Sequence, residues 1–472
     1  MLFARFRKPV ASIAAVFVLI SFLAASPTSW AEAPAAAAPT ETNAGENVDL
    51  ARLFDAVVDR IDQKFVNEQI LKEIDWRARA KVVRPSVLAA ASTAEAVDLI
   101  NKLLSELKTS HTELTTPDEY RYYFTLDALN GAAETRDLIA EKFWGIGGPY
   151  FPGIGAFTTK LDGRHFIDAV LEGSPADTAG LKFGDQILSV DGKPFAPIAA
   201  FHGKIGQSVD IEIRRARNAE PRTYRVPVVP IMSSAVFSTA TRASARVIER
   251  DGRRIGYIHV WHVRDPRSFA AALASIDPFF PTGKAERGGR PLDALIVDMR
   301  GRVGGSIGAA SQMLDMLGTA EKPYWGPHRS RDRAGKDVGS SGDYGIPRST
   351  EPLQPFRGQT VMLIDERTRS AGEIMAYGFK RSRFGPVIGT PTAGAVTSGT
   401  LFAMPGGLVL YTAVVSHEFD GKPLEGAGVA PDIRVERPLP YAAGADPVLD
   451  AAIAHLTKGG SPQWMNGQGV SR

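Results

Sequence analysis

Val361-Met362-Leu363-Ile364-Asp365-Glu366-Arg367-Thr368-Arg369-Ser370-Ala371-Gly372-Glu373-Ile374 reads as a buried strand that passes through a short turn into a helix. The same pattern precedes it. Residues 255–260 and 294–299 are apolar strand patterns, and residues 268–276, 306–317 and 371–380 are helical. Strands alternating with helices predict a parallel sheet covered on both faces, so residues 250–458 are expected to form an α/β core. Within it, residues 326–359 are polar and rich in glycine and arginine, which suggests a mobile loop or a rim over a site.

Upstream the pattern changes twice. Between residues 143 and 230 short strands are expected at 166–170, 186–190, 209–214 and 223–228. Asp191-Gly192 marks a hairpin turn, and Ser174-Pro175-Ala176 opens a short helix that Gly180 closes. Between residues 48 and 135 the spacing is helical. Leu50, Leu53, Phe54, Val57, Val58, Ile61 and Phe65 form one apolar stripe, and Leu99, Ile100, Leu103, Leu104 and Leu107 another, in a helix expected to end near Lys108. The fold class is therefore mixed α/β: a helical N-terminal region, a β-rich domain and an α/β core.

Arg5, Arg7 and Lys8 precede an apolar run at residues 10–25, and Ser29-Trp30-Ala31 offers small residues where a signal peptidase reads. The run is about 16 residues, short of the ~20 that cross a bilayer, so residues 1–31 are expected to be a cleaved leader rather than an anchor. No further span is expected, and the mature protein is placed in the periplasm or outside the cell. Residues 32–47 are low-complexity and read as a flexible tether. The chain has no cysteine, which excludes disulfides and thiolate metal sites. Lysines and arginines number 55 against 52 aspartates and glutamates, and without the three leader cations the signs are level. That balance argues against a nucleic-acid partner.

Two segments carry candidate chemistry. Ser370 opens a helix at the end of a strand, where a hydroxyl is presented and free N–H groups favour developing negative charge. A plain helix N-cap is the alternative. Asp298-Met299-Arg300-Gly301-Arg302-Val303-Gly304-Gly305 is a second strand-to-helix turn, whose glycines let backbone N–H groups approach a ligand. None of the eight histidines sits in an HExxH pattern, so no metal is expected, and no cofactor. Spacing alone does not choose which histidine would serve a serine nucleophile.

The chain resembles the PDZ-containing serine peptidases that include C-terminal processing (tail-specific) peptidases and tricorn protease. The carriers are Gly153-Ile154-Gly155 with Glu172-Gly173-Ser174-Pro175-Ala176-Asp177-Thr178-Ala179-Gly180-Leu181, which is similar to PDZ domains of exported proteases. Asp298 to Gly305 resembles the family's DxRxNxGG turn, with Arg302 where asparagine is usual. Thr368-Arg369-Ser370-Ala371-Gly372-Glu373 is similar to its nucleophile turn. The resemblance implies a PDZ domain at 143–230 and a ClpP/crotonase-like peptidase core.

It also implies a mechanism. The processing branch pairs its serine with a lysine in a downstream turn, but here that position is Ala395, in Thr392-Ala393-Gly394-Ala395-Val396. The tricorn-like branch uses a serine–histidine pair from the N-terminal region and a late glutamate. The matching residues are Ser110-His111 and Glu425. Ser370 is thus expected as nucleophile and His111 as base, with Ser110 and Glu425 orienting the imidazole. Gly305 and Ala371 would supply the oxyanion N–H groups. Gly153, Ile154 and Gly155 would hold a substrate's terminal carboxylate. The implied function is an exported endopeptidase acting on peptides or protein C-terminal tails. The competing readings are a catalytically silent PDZ scaffold and an apolar-ligand carrier. Tricorn-like members work as assemblies, which leaves an oligomer open.

Overall fold

The computed structural model describes residues 48–143, 148–281, 289–301, 304–319, 324–338 and 354–458. The expected leader and tether, and Arg302, lie outside them. Helices α1 (Leu50–Lys64), α2 (Glu68–Glu73), α3 (Trp76–Leu88) and α4 (Thr93–Ser105) open the chain. Each starts at a residue whose side-chain oxygen accepts from the first turn: Asp49, Asn67, Asp75 and Ser92. The stripe of α1 and that of α4 pack together in one core cluster.

After α4, Lys108 and His111 take positive φ values of 48° and 55°. These turn the chain sharply into β1 (Glu113–Thr115), which pairs with a core strand nearly 300 positions later. Two more helices follow, α5 (Tyr120–Ala128) and α6 (Arg136–Phe143). The helical region therefore runs past residue 135, and it contributes a strand to the core.

The β-rich domain contains β2 (Phe151–Gly153), β3 (Ala156–Leu161), β4 (Arg164–Val170), α7 (Pro175–Thr178), β5 (Gln186–Val190), β6 (Lys193–Pro194), β7 (Ser208–Arg214), β8 (Arg222–Pro227) and β9 (Val229–Ile231). Its sheet has the order β3-β4-β5-β7-β8, closed over Ile154, Ile167, Leu181, Ile211 and Val226. Asp191 and Gly192 have φ of 50° and 73°, as a tight hairpin turn requires. Strands β2 and β9 form an entry–exit ribbon. Helix α8 (Ser233–Ser244) then leads into the core.

The core contains β10 (Arg246–Arg250), β11 (Arg253–His259), α9 (Pro266–Ile276), β12 (Ala294–Asp298), α10 (Ile307–Leu317), β13 (His328–Arg331), β14 (Gln359–Ile364), α11 (Ala371–Arg381), β15 (Val387–Gly389), β16 (Ser398–Ala403), β17 (Val409–Phe419), β18 (Lys422–Pro423), β19 (Ile433–Arg434) and α12 (Pro447–Thr457). Its main sheet, β10-β11-β12-β14-β15-β19, is parallel from β11 onward. Residues of α9, α10 and α11 cover one face, and Val448, Ala452 and Leu456 of α12 cover the other.

A second sheet joins β1, β17 and β13 antiparallel, with β16 and β18 also on β17. It takes up part of the stretch read as a loop or rim, since residues 328–331 are paired strand. Residues 339–353 lie outside the described residues.

Candidate active site

The C-terminal ends of β12 and β14 lie side by side, and the turn after each feeds a helix. Asp365 stitches the two turns together. Its carboxylate accepts from the N–H groups of Arg367 and Thr368 on its own turn, at 3.0 and 2.9 Å, and from Gly301 N–H on the other, at 3.1 Å. The Thr368 hydroxyl adds a bond to the Met299 carbonyl at 2.8 Å. A Cβ on Gly304 would stand 3.7 Å from the Ser370 Cβ, so the glycine turn abuts the serine.

Ser370 has φ 54° and ψ −130°, a strained backbone for a residue with a Cβ, and its side chain makes no capping bond. The simple N-cap alternative therefore fails. Among the described residues the Ser370 hydroxyl has no hydrogen-bond partner, while its N–H donates to the Ala395 carbonyl at 2.8 Å. The N–H groups of Ala371 and Gly305 likewise find no acceptor among the described residues. Gly305 must be glycine, because a Cβ there would fall 1.8 Å from the Val263 carbonyl oxygen.

Ser110, His111 and Glu425 converge, although Glu425 is 315 positions from Ser110 in the chain. The Glu425 carboxylate accepts from Ser110 N–H at 2.6 Å, Ser110 Oγ at 3.0 Å, Val396 N–H at 2.8 Å and Thr397 N–H at 3.1 Å. Because an ionised carboxylate only accepts, the Ser110 hydroxyl spends its proton on Glu425. Its lone pairs then face His111 Nδ1 at 2.7 Å, so Nδ1 carries the ring proton. Nε2 is left basic, and it makes no hydrogen bond among the described residues. The ring is buried edge-on against Tyr411, with centroids 5.1 Å apart. Burial, then the cations Arg369 and Arg121 and the neighbouring His417, hold the imidazole well below its usual pKa.

Residues 392–397 join the two halves. Glu373, fully buried, accepts from Thr392 Oγ1 at 2.5 Å and from the N–H groups of Gly394 and Ala395, each at 2.7 Å. The same segment receives Ser370 N–H at Ala395 and presents Val396 and Thr397 to Glu425. Glu373 was not singled out from the sequence. A glutamate three residues after a helix-starting serine looks like a capping box, which hides its long-range role. Burial raises its pKa, opposed by those same hydrogen bonds.

Lys380, the nearest lysine after Ser370 in sequence, is committed elsewhere. Its ammonium sits 2.8 Å from both the Ala430 carbonyl and Asp432. Lys380→Ala is expected to change kcat/KM less than about two-fold and stability by under about 1 kcal/mol, as for a partly exposed pair. A peptide-cleavage assay checks this, and a large rate loss would make Lys380 the base.

Two contacts tie the β-rich domain to these turns across a cavity of about 500 Å³. Arg367, on the serine turn, pairs with Asp168 of β4 at 3.0 Å. Glu172 holds His259 Nδ1 at 2.9 Å and accepts from Trp261 Nε1 at 2.5 Å, and the other His259 nitrogen meets the Arg300 carbonyl at 2.9 Å. Burial works against charge on His259, but Glu172 and Asp298 prevail and raise its pKa to about 8. Burial lowers those of His262 and His417 to about 4.

These shifts act on stability with opposite signs. The His259 contribution is complete below about pH 6.5 and is lost as pH rises through about 8. The contributions of His262 and His417 are complete above about pH 6.5 and are lost as pH falls toward about 4. Thermal unfolding is thus expected to peak near neutrality, and His259→Gln should flatten the alkaline decline between about pH 6.5 and 8. An unchanged decline in that variant would remove His259 from the account.

At the PDZ loop, Gly153 belongs to the β2–β9 ribbon. The N–H groups of Ile154 and Gly155 have no backbone acceptor among the described residues. Gly155 has φ 79°, and a Cβ there would lie 2.3 Å from that of Ser174.

Comparison with known proteins agrees with this architecture. Residues 254–435 match the profile of peptidase family S41, and residues 166–215 that of a PDZ domain. Two homologs of tricorn protease in Streptomyces coelicolor are similar. One is 29% identical over 80% of this chain and 30% of its own length, the other 26% over 81% and 32%. The carboxy-terminal processing protease CtpB of Bacillus subtilis is 24% identical over 62% of this chain and 57% of its own. The chain thus spans about a third of those tricorn homologs and just over half of CtpB. The solved photosystem II D1 C-terminal processing protease is similar over 84% of this chain and 98% of its own, at 19% identity and a TM-score of 0.47. With both turns and these two profile matches in place, residues 254–435 form a peptidase family S41 domain, and residues 166–215 a PDZ domain ahead of it.

Proposed function

We propose that this chain is an exported serine endopeptidase that cleaves peptides or protein C-terminal tails through a Ser370–His111 pair. The observation that carries this reading is the Glu425–Ser110–His111 relay, joined to the Ser370 turn through a segment with alanine at position 395. His111 Nε2 takes the Ser370 proton as Oγ attacks the scissile carbonyl. The oxyanion is received by Gly305 and Ala371 N–H, each such donor being worth on the order of 10²–10³ in rate. The imidazolium then protonates the leaving amine, and water, activated by the same base, releases the acyl group.

In this reading the PDZ domain recruits or gates substrate. The N–H groups of Ile154 and Gly155, without an acceptor among the described residues, support capture of a terminal carboxylate, which raises the substrate's effective concentration at Ser370. Export rests on the leader at residues 1–31. No helix among the described residues is long and apolar enough to cross a membrane.

The test is labelling of the mature chain with a fluorophosphonate, beside Ser370→Ala and His111→Ala. Labelling of the wild type alone supports the pair. No wild-type labelling, with or without a C-terminal peptide present, favours the silent scaffold. Because the His111 pKa is depressed, kcat/KM should stay level as pH falls to about 6.5 and decline only below it. An acid limb centred at or above 6.5 would exclude His111 as the titrating base.

A further inference from the structure

Among the described residues, the other arginines around the two turns have partners. Arg367 pairs with Asp168, and Arg300 forks to Asp298 and Asp446. Arg121 is held by Glu113 at 2.6 Å. Arg369, immediately before the nucleophile, is the exception. It is partly buried, yet among the described residues its guanidinium has neither an ion pair nor a hydrogen bond. Glu113, whose charge it feels, is already taken by Arg121.

Its place in the site is set by the chain, because it directly precedes Ser370 on the turn into α11. A peptide held at Ser370 therefore lies alongside the neighbouring residue Arg369. The charge of Arg369 is felt by His111, just before β1, by Arg121 of α5 and by Tyr411 of β17. Burial and Arg121 push its pKa down and outweigh the opposing influence of Glu113, Tyr411 and Glu373, none of which is bonded to it among the described residues. A planar fork in that state favours a carboxylate, which it can hold bidentately.

We propose that Arg369 is a specificity-determining residue that receives an acidic side chain of the substrate, close to the scissile bond. This rests on the peptidase reading above, in which the terminal carboxylate is engaged at Ile154 and Gly155, leaving a side chain as the carboxylate for Arg369. Arg369 also lowers the His111 pKa, but that acts alike on acidic and neutral substrates. The ratio between the two isolates recognition.

The test uses the full mature chain carrying Ser370→Ala, so binding is read without turnover. Fluorescently labelled peptides share their C-terminal residues and carry one Asp or one Asn at each preceding position in turn. At one position the Asp peptide is expected to bind about 10- to 100-fold tighter, the scale of a charge-assisted hydrogen bond. Adding Arg369→Gln should bring that ratio to about one, whereas Arg369→Lys should retain part of it. Equal binding of Asp and Asn peptides throughout overturns the proposal. So does a preference that survives Arg369→Gln, or a preference only for a free over an amidated C-terminus that Arg369→Gln removes. Fluorophosphonate labelling of the wild type separately decides whether Ser370 is a nucleophile.

Discussion

Ser370→Ala and His111→Ala are each expected to lower kcat/KM for a cleaved peptide by about 10⁵- to 10⁶-fold, the scale of losing either partner in a serine–histidine unit. The double variant should be little worse than either single one, because the two groups act as a unit. Their stabilities should differ. The Ser370 hydroxyl bonds nothing among the described residues, and alanine inherits the same backbone conformation, so Ser370→Ala should unfold with the wild type. His111→Ala removes a buried ring packed on Tyr411 and takes the Nδ1 partner from Ser110 Oγ, which keeps Glu425, costing about 1–3 kcal/mol. Kinetics and thermal melts on the same preparations check both halves. Cleavage by Ser370→Ala at anything near the wild-type rate would end the nucleophile assignment.

What the sequence disclosed follows from which interactions are local. Strands β11, β12 and β14 are apolar runs buried on both faces, and Asp191-Gly192 needs only its own backbone to make a turn. Both were legible. Strand β1 was not: three residues after a helix end carry no periodicity, and their partner Val409–Phe419 lies far downstream. Strand β13 was hidden inside a polar stretch for the same reason.

The site divides similarly. Ser370, His111, Ser110 and Glu425 were named through motif resemblance, and the structure brings the last three into one hydrogen-bond network. Glu373 sits beside Ser370 in sequence, but its task depends on Thr392, Gly394 and Ala395. Nor does the sequence indicate that Arg369 has no counter-ion among the described residues, since that depends on Glu113 being committed to Arg121. Missing partners, like distant ones, are properties of packing.

Glu425→Gln separates a positioning role from a merely structural one. The carboxylate oxygens accept from Ser110 N–H on one side, and from Ser110 Oγ, Val396 N–H and Thr397 N–H on the other. A glutamine keeps one acceptor oxygen and turns an NH₂ toward donors, whichever way it is placed. If the NH₂ meets Ser110 Oγ, that hydroxyl must accept from it and is no longer bound to offer only lone pairs to His111 Nδ1. The imidazole then loses the constraint that kept its proton on Nδ1 and left Nε2 basic. Fixing the wrong tautomer in a related triad costs about 10⁴ in kcat, and the relay through Ser110 makes about 10³ to 10⁴ the expectation here. The loss should fall on kcat rather than KM, because Glu425 sits behind the base. Ser110→Ala, which leaves Glu425 on Val396 and Thr397, should cost less, about 10- to 100-fold. Steady-state kinetics and the rate of fluorophosphonate labelling measure both. If Glu425→Gln turned over within ten-fold of wild type while melting several degrees lower, Glu425 would be a tie for the 392–397 segment and His111 would be held by Ser110 and Thr397 alone.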